Sequence, residues 1–149
     1  MELKVPPVVV FLISVASVFG FWFFIEANFS FRFQNTIAGV FILAGVLMGL
    51  LAIIRFRKQA TTVDPTAPNK ATNLVTKGIY QYTRNPMYLG MALVLLGGII
   101  RIGNPFGLLS MLFHVWYMTR FQIKPEERTL TALFGQPYID YLNQVRRWL

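Results

Sequence analysis

Cysteine is absent from this chain of 149 residues, and histidine occurs once. The first absence excludes a disulfide framework, a thiolate nucleophile and any iron–sulfur or zinc–thiolate site. The second removes multi-histidine metal sites, so no metal is expected. Charge is scarce as well: Asp, Glu, Lys and Arg make up 13% of the residues, about half the share of an ordinary soluble domain. Acids are the scarcer sign, 6 against 14 Lys and Arg, for a net charge of +8. In a soluble chain that excess would suggest nucleic acid. Here 55% of residues are hydrophobic. Such a composition excludes a disordered chain and argues against both a water-soluble globule and a nucleic-acid partner. The question becomes which side of a membrane the basic residues occupy.

Four apolar runs are present. Val5 to Ile25 carries no charge over about 20 residues, the length needed to cross the hydrocarbon core. A cleaved leader would have a shorter apolar stretch and a small-residue cleavage site. This run continues instead through Phe21, Trp22, Phe23 and Phe24 to Glu26. The second run, Thr36 to Ile54, is closed by Arg55, Arg57 and Lys58 and carries the small pair Gly45 and Gly49. That spacing lets helices pack closely, against a partner or within the chain's own bundle; an oligomer is therefore left open. Met87 to Ile100 and Phe106 to Phe121 flank the turn-forming Arg101-Ile102-Gly103-Asn104-Pro105. Together they predict a helical hairpin.

Basic residues set the expected orientation. Arg55, Arg57, Lys58, Lys70, Lys77 and Arg84 lie between the second and third runs, and Lys124, Arg128, Arg146 and Arg147 follow the fourth. The opposite connections hold only Arg32 and Arg101. The 55–86 connection, the tail and the N-terminus with Lys4 are therefore all expected in the cytoplasm. The predicted fold is an all-α, multi-pass integral membrane protein. It has about four transmembrane helices, a cytosolic loop and short C-terminal amphipathic helices. We read 1–149 as one membrane domain: two N-terminal spans (1–54), the loop with a first motif (55–86), the hairpin (87–121) and C-terminal helices with a second motif (122–149).

The polar parts carry the candidate chemistry. Residues 59–74, rich in Thr, Pro and Asn, read as a loop or lid. The stretch 74–90 follows, with Gly78 and Gly90 around Tyr80, Tyr82, Arg84, Asn85, Pro86 and Tyr88. Pro86 suits the first turn of a helix and Asn85 its N-cap. One reading is a turn, a cap and interfacial tyrosines. The other is a helix N-terminus beside Tyr and Arg, suited to a carboxylate- or phosphate-bearing ligand. In the tail, Leu130, Leu133 and Phe134 follow helical spacing up to Gly135, and Pro137 opens a second helix with Tyr138, Tyr141, Leu142 and Val145 on one face. Glu126 and Glu127 either favour a helix N-terminus electrostatically or bind something cationic.

Gly78-Ile79-Tyr80 and Arg84-Asn85-Pro86-Met87-Tyr88-Leu89-Gly90, then Glu126-Glu127, Leu130, Phe134-Gly135, Tyr138 and Tyr141, resemble the two motif blocks of the isoprenylcysteine carboxyl methyltransferase family. The wider group includes phospholipid methyltransferases. The resemblance covers residues 74–149. It implies an integral membrane methyltransferase that uses S-adenosylmethionine, leaves S-adenosylhomocysteine, and takes a lipophilic acceptor from the bilayer. Carried over, Gly78, Tyr80, Arg84, Asn85, Pro86, Tyr88, Gly90 and Glu127 bind the cofactor. Asn85 stands where many members have His, so it supplies no titratable base. The catalytic candidates are Glu127, Glu126 and Arg146. The chemistry is compatible, because methyl transfer from a sulfonium needs orientation and electrostatics rather than a metal or thiol. Arg84 and the third helix N-terminus suit the cofactor's carboxylate, and tyrosine faces suit its sulfonium. A protic acceptor would give its proton to Glu126 or Glu127. Arg146 and Arg147 steer an anionic headgroup or rest on anionic membrane lipids.

The competing readings are a sterol-reductase-like NADPH enzyme, a small four-helix transporter, and a structural subunit without a ligand. The chain has no glycine-rich dinucleotide run. A transporter calls for an ionisable residue near mid-membrane, where only His114 sits, and a lone histidine there is expected to be a packed interhelical hydrogen-bonder. A structural subunit leaves the polar block at 78–90 unexplained.

Overall fold

The computed structural model describes residues 2–58 and 68–149. Among them the architecture is all-helical: α1 (Pro7–Phe24), α2 (Gln34–Lys58), α3 (Pro86–Ile102), α4 (Gly107–Tyr117), a π-helical stretch (Met118–Ile123), α5 (Lys124–Phe134) and α6 (Gln136–Gln144). Single 3₁₀ turns at Pro68–Lys70 and Gly78–Gln81 interrupt the long connection. Most of the expected lid, 59–67, lies outside the described residues. α1 and α2 are long and apolar enough to cross a membrane, with mean hydropathy 2.3 over Pro7–Phe24 and 2.8 over the most apolar 18 residues of Gln34–Arg57. α3 is shorter but apolar.

α3 forms the centre, with Leu89, Ala92, Leu95 and Ile99 buried. α1, α2 and α4 surround it and turn large apolar side chains outward, including Leu12, Phe19, Leu43, Leu50, Leu112 and Trp116. Such a surface suits hydrocarbon, not water. The tightest seam joins α2 and α3. On α2, Ala38, Gly45 and Ala52 recur every seven residues; on α3, Gly90 and Gly97 do the same. A Cβ at Gly45 would meet the Gly90 carbonyl oxygen at 2.5 Å, and one at Gly97 would meet the Ala38 carbonyl at 2.8 Å. Gly45 thus serves the chain's own bundle. A Cβ on Gly49 would meet nothing.

α1 and α4 are joined by polar contacts. Ser14 Oγ donates to the Val10 carbonyl at 2.9 Å and lies 3.3 Å from His114 Nδ1. Since the Ser14 proton is committed, His114 Nδ1–H donates to it. Ser17 Oγ and Ser110 Oγ are 2.7 Å apart. His114 is the expected interhelical hydrogen-bonder.

The far end of the bundle is sealed by side-chain amides. α3 stops at Gly103, whose φ of 75° favours glycine. Gln34 Nε2 donates to the Ile100 carbonyl at 2.7 Å, and Asn104 Nδ2 to the Ile25 carbonyl at 2.9 Å and to Asn28 Oδ1 at 3.1 Å.

At the other end the fourth helix does not stop near Phe121. It runs on through the π-helical stretch into α5, where Pro125 is the cause. Pro125 has no N–H to give the Phe121 carbonyl and would clash with it in a regular helix. A π-turn absorbs the misfit, with Lys124 N–H bonded to the Thr119 carbonyl. The freed Phe121 carbonyl instead accepts the Leu3 N–H at 3.0 Å. This continuity also removes the free helix N-terminus at Glu126 and Glu127 that one sequence reading required.

Candidate functional site

The site forms where the 3₁₀ turn Gly78–Gln81, the start of α3, and α5 and α6 converge at the basic end. Gly78 has φ 72°, and a Cβ there would lie 2.5 Å from Arg55 Nε. Only glycine gives this turn both its backbone and its room. Tyr80 follows, buried, with Phe56 edge-on at 5.4 Å. Its carbonyl accepts the Tyr141 hydroxyl at 2.7 Å, and its own hydroxyl has no partner among the described residues.

Arg84 is the hub. Its Nη1 donates to the carbonyls of Leu142 (2.7 Å) and Val145 (3.0 Å), so it caps the end of α6. Nη2 donates to Glu127 Oε1 at 2.9 Å, and the backbone N–H to the Arg146 carbonyl at 3.0 Å. Nε is buried without a partner among the described residues. Asn85 sits at the N-cap position of α3 without capping it; its amide donates instead to the Arg147 carbonyl at 2.9 Å. No side chain caps the start of α3, which begins at Pro86 as expected.

The two neighbouring glutamates are used differently. Glu127 is fully committed: Arg84 and Arg147 Nε (3.0 Å) share Oε1, and Arg147 Nη2 holds Oε2 at 2.7 Å. Glu126 takes both its donors, the Tyr88 hydroxyl and Gln122 Nε2 (2.7 Å), on Oε1. Oε2 carries no hydrogen bond from the described residues. Burial pushes the Glu126 carboxyl up to about 7; the hydrogen bonds from Tyr88 and Gln122 oppose the shift and the charge of Glu127 adds to it. Burial likewise raises the hydroxyls of Tyr80, Tyr138 and Tyr141, which stay protonated.

Tyr80, Arg84, Asn85, Pro86, Tyr88, Glu126 and Glu127 therefore line one cavity of about 100 Å³. Gly78, Gly90 and Arg146 do not line it. Gly90 packs on Gly45, where a Cβ would meet the Gly45 carbonyl at 2.6 Å. Arg146 is exposed, and its neighbour Arg147 holds Glu127. Sequence reasoning missed Phe56 and Gln122 as site residues, and gave Arg147 a headgroup or membrane role rather than its ion pair with Glu127. Gln122 was legible in principle, one helical turn before Glu126. The cavity is smaller than the ~300–1,000 Å³ of typical ligand pockets. A nucleoside-sized ligand therefore requires displacement of a wall, and 71–75 is the wall that is not helical.

Residues 33–137 match the family described as phospholipid methyltransferase. The chain is 30% identical over 118 residues to protein-S-isoprenylcysteine O-methyltransferase of Schizosaccharomyces pombe, covering 79% of this chain and 50% of that protein. It is 29% identical over 104 residues to protein-S-isoprenylcysteine O-methyltransferase B of Arabidopsis thaliana, covering 70% of this chain and 53% of that protein. The Saccharomyces cerevisiae protein-S-isoprenylcysteine O-methyltransferase is 35% identical over 72 residues, 48% of this chain and 30% of that protein. The chain spans about half the length of the first two of these relatives. No solved structure matches it.

Proposed function

Since this chain belongs to the phospholipid methyltransferase family, with isoprenylcysteine O-methyltransferases among its relatives, we propose that it is an S-adenosylmethionine-dependent methyltransferase of the membrane. The acceptor is lipophilic: an isoprenylcysteine-like carboxylate or a lipid headgroup. The bundle crosses the bilayer four times as one domain, with 1–54 and the hairpin 87–121 as spans. Both termini and the 55–86 connection face the cytoplasm. Every Lys and Arg except Arg32 and Arg101 falls on that side, as the positive-inside rule requires.

The observation that carries this reading is the meeting in one cavity of Tyr80 and Arg84, each with a buried polar atom that no described residue satisfies, and Glu126, whose two hydrogen bonds both fall on Oε1. Those groups fit the cofactor by type. When bound, it supplies an already activated methyl group on a sulfonium. Arg84 Nε and the uncapped start of α3 offer donors to its carboxylate. Glu126 Oε2 suits an ammonium or ribose hydroxyl, and the Tyr80 and Tyr138 rings suit a sulfonium. Glu127 holds Arg84 in place, Gly78 permits the turn that carries Tyr80, and Gly90 seats α3 against α2. Near neutrality Glu126 can take the proton of a protic acceptor; a carboxylate acceptor is already ionised and needs no base. Arg146, exposed at the same end, steers an anionic headgroup.

Calorimetric titration of the purified chain with S-adenosylhomocysteine tests the reading, with Glu126→Gln and Tyr88→Ala alongside. We expect saturable binding by the wild type that weakens in both variants. No binding by a folded wild type, in nanodiscs as well as detergent, overturns it.

A further inference from the structure

A second feature lies outside the cavity, along the helix that runs from α4 into α5. The continuous helix from α4 to α5 presents Leu112, Trp116 and Thr119 along a groove of about 390 Å³. Lys124 closes that groove and also opens a second one of about 490 Å³, shared with Arg128 and Arg147. One helix face thus changes from exposed apolar side chains to cations within three turns. Thr119 marks the change, and its hydroxyl accepts the Trp148 indole N–H at 3.2 Å.

The charges along this face are not balanced within the chain. Arg120 and Arg128 share the single carboxylate of Glu2, and Arg147 shares Glu127 with Arg84. Lys124 is exposed and forms no ion pair among the described residues. An apolar wall ending in excess positive charge at the depth of the bilayer surface complements an acyl chain bearing an anionic head. Neither end alone selects such a molecule: hydrocarbon covers Leu112 and Trp116 everywhere, and a free anion gains nothing from them.

We propose that this face is a binding site for an anionic glycerophospholipid of the bilayer. The acyl chain lies against Leu112 and Trp116, and the phosphate lies at Lys124 with Arg120 and Arg128. The site rests on the bilayer placement and is independent of methyl transfer.

Native mass spectrometry of the full chain, released from micelles containing phosphatidylglycerol or phosphatidylcholine of matched chains, tests it. The expected result is preferential retention of one phosphatidylglycerol. Lys124→Gln should lower its occupancy about fivefold, the effect of one cation near an anionic surface, and Trp116→Ala should lower it too. Arg57→Gln removes one cation at the same end but outside the groove and should leave occupancy unchanged. Both substituted groove side chains are exposed, and far-UV circular dichroism with thermal unfolding checks each variant's fold separately. Equal retention of phosphatidylcholine, or an equal loss in Arg57→Gln, overturns the site in favour of diffuse attraction. Full displacement by inorganic phosphate overturns the role of the apolar wall. Stoichiometric displacement by a soluble S-farnesylcysteine carboxylate assigns the groove to the acceptor and overturns the proposal.

Discussion

The two ends of the bundle solve the same problem in opposite ways. Both must terminate helices whose last carbonyls or first N–H groups lack helical partners. At the far end Gln34 and Asn104 meet those groups directly, with Asn28 Oδ1 accepting from the Asn104 amide, and Asn104 uses its oxygen as well, accepting the Phe106 N–H at 3.0 Å. At the basic end α6 is capped by Arg84, yet among the described residues nothing caps the start of α3 with a side chain, and Tyr80 and Arg84 keep buried unpartnered atoms. Each such atom costs about 1–3 kcal/mol. One end is built for stability; the other withholds stability where a ligand can supply the missing partners.

The sharpest way to break this contrast is Glu127→Ala. It leaves Arg84 buried without its counter-charge and should cost about 3–5 kcal/mol, together with cofactor-product binding. Chemical denaturation in detergent and calorimetry read the two losses. Glu126 comes next. Its folded value of about 7 lies above the usual 4.5, so the folded chain holds a proton that the unfolded chain releases in between. Stability should therefore fall as pH rises from about 4.5 to 7, by about 2–3 kcal/mol, and Glu126→Gln should flatten that slope. An unchanged slope in the variant would remove Glu126 as its source. Asn104→Ala should cost about 2 kcal/mol and leave S-adenosylhomocysteine affinity unaltered, because it acts only on the sealed end. The smallest effect is the most telling: Tyr80→Phe should raise stability by about 1 kcal/mol while weakening binding. A loss of stability would mean that the hydroxyl is satisfied already.

Much of the helical architecture was legible because it rests on run length and on residues with one strong preference. Apolar runs, Pro86, Gly103 and Gly135 mark their elements by local physics alone. The continuity of α4 into α5 was not legible, because Pro125 reads locally as a break and its remedy comes from Leu3, far away in sequence. Asn85 has an N-cap residue's chemistry but is claimed by the Arg147 carbonyl. The choice between Arg146 and Arg147 depends on how an irregular terminal segment lies over α5, which no periodicity records. The cluster of Tyr80, Arg84, Tyr88, Glu126 and Glu127 was reached through motif resemblance. That Glu127 braces while Glu126 offers a free oxygen follows only from their partners.

The bond from Leu3 to Phe121 has a consequence for how the protein is made. The Leu3 amide leaves the ribosome well before its acceptor, which becomes available only when the helix that carries Phe121 has been synthesised. Helix α1 must therefore wait, the residues before it unanchored, until Phe121 has been made. The strap that carries Arg147 onto Thr83, Arg84 and Asn85 arrives later still. A ribosome that stalls after α4 would leave an apolar bundle with neither Leu3 docked nor the site assembled.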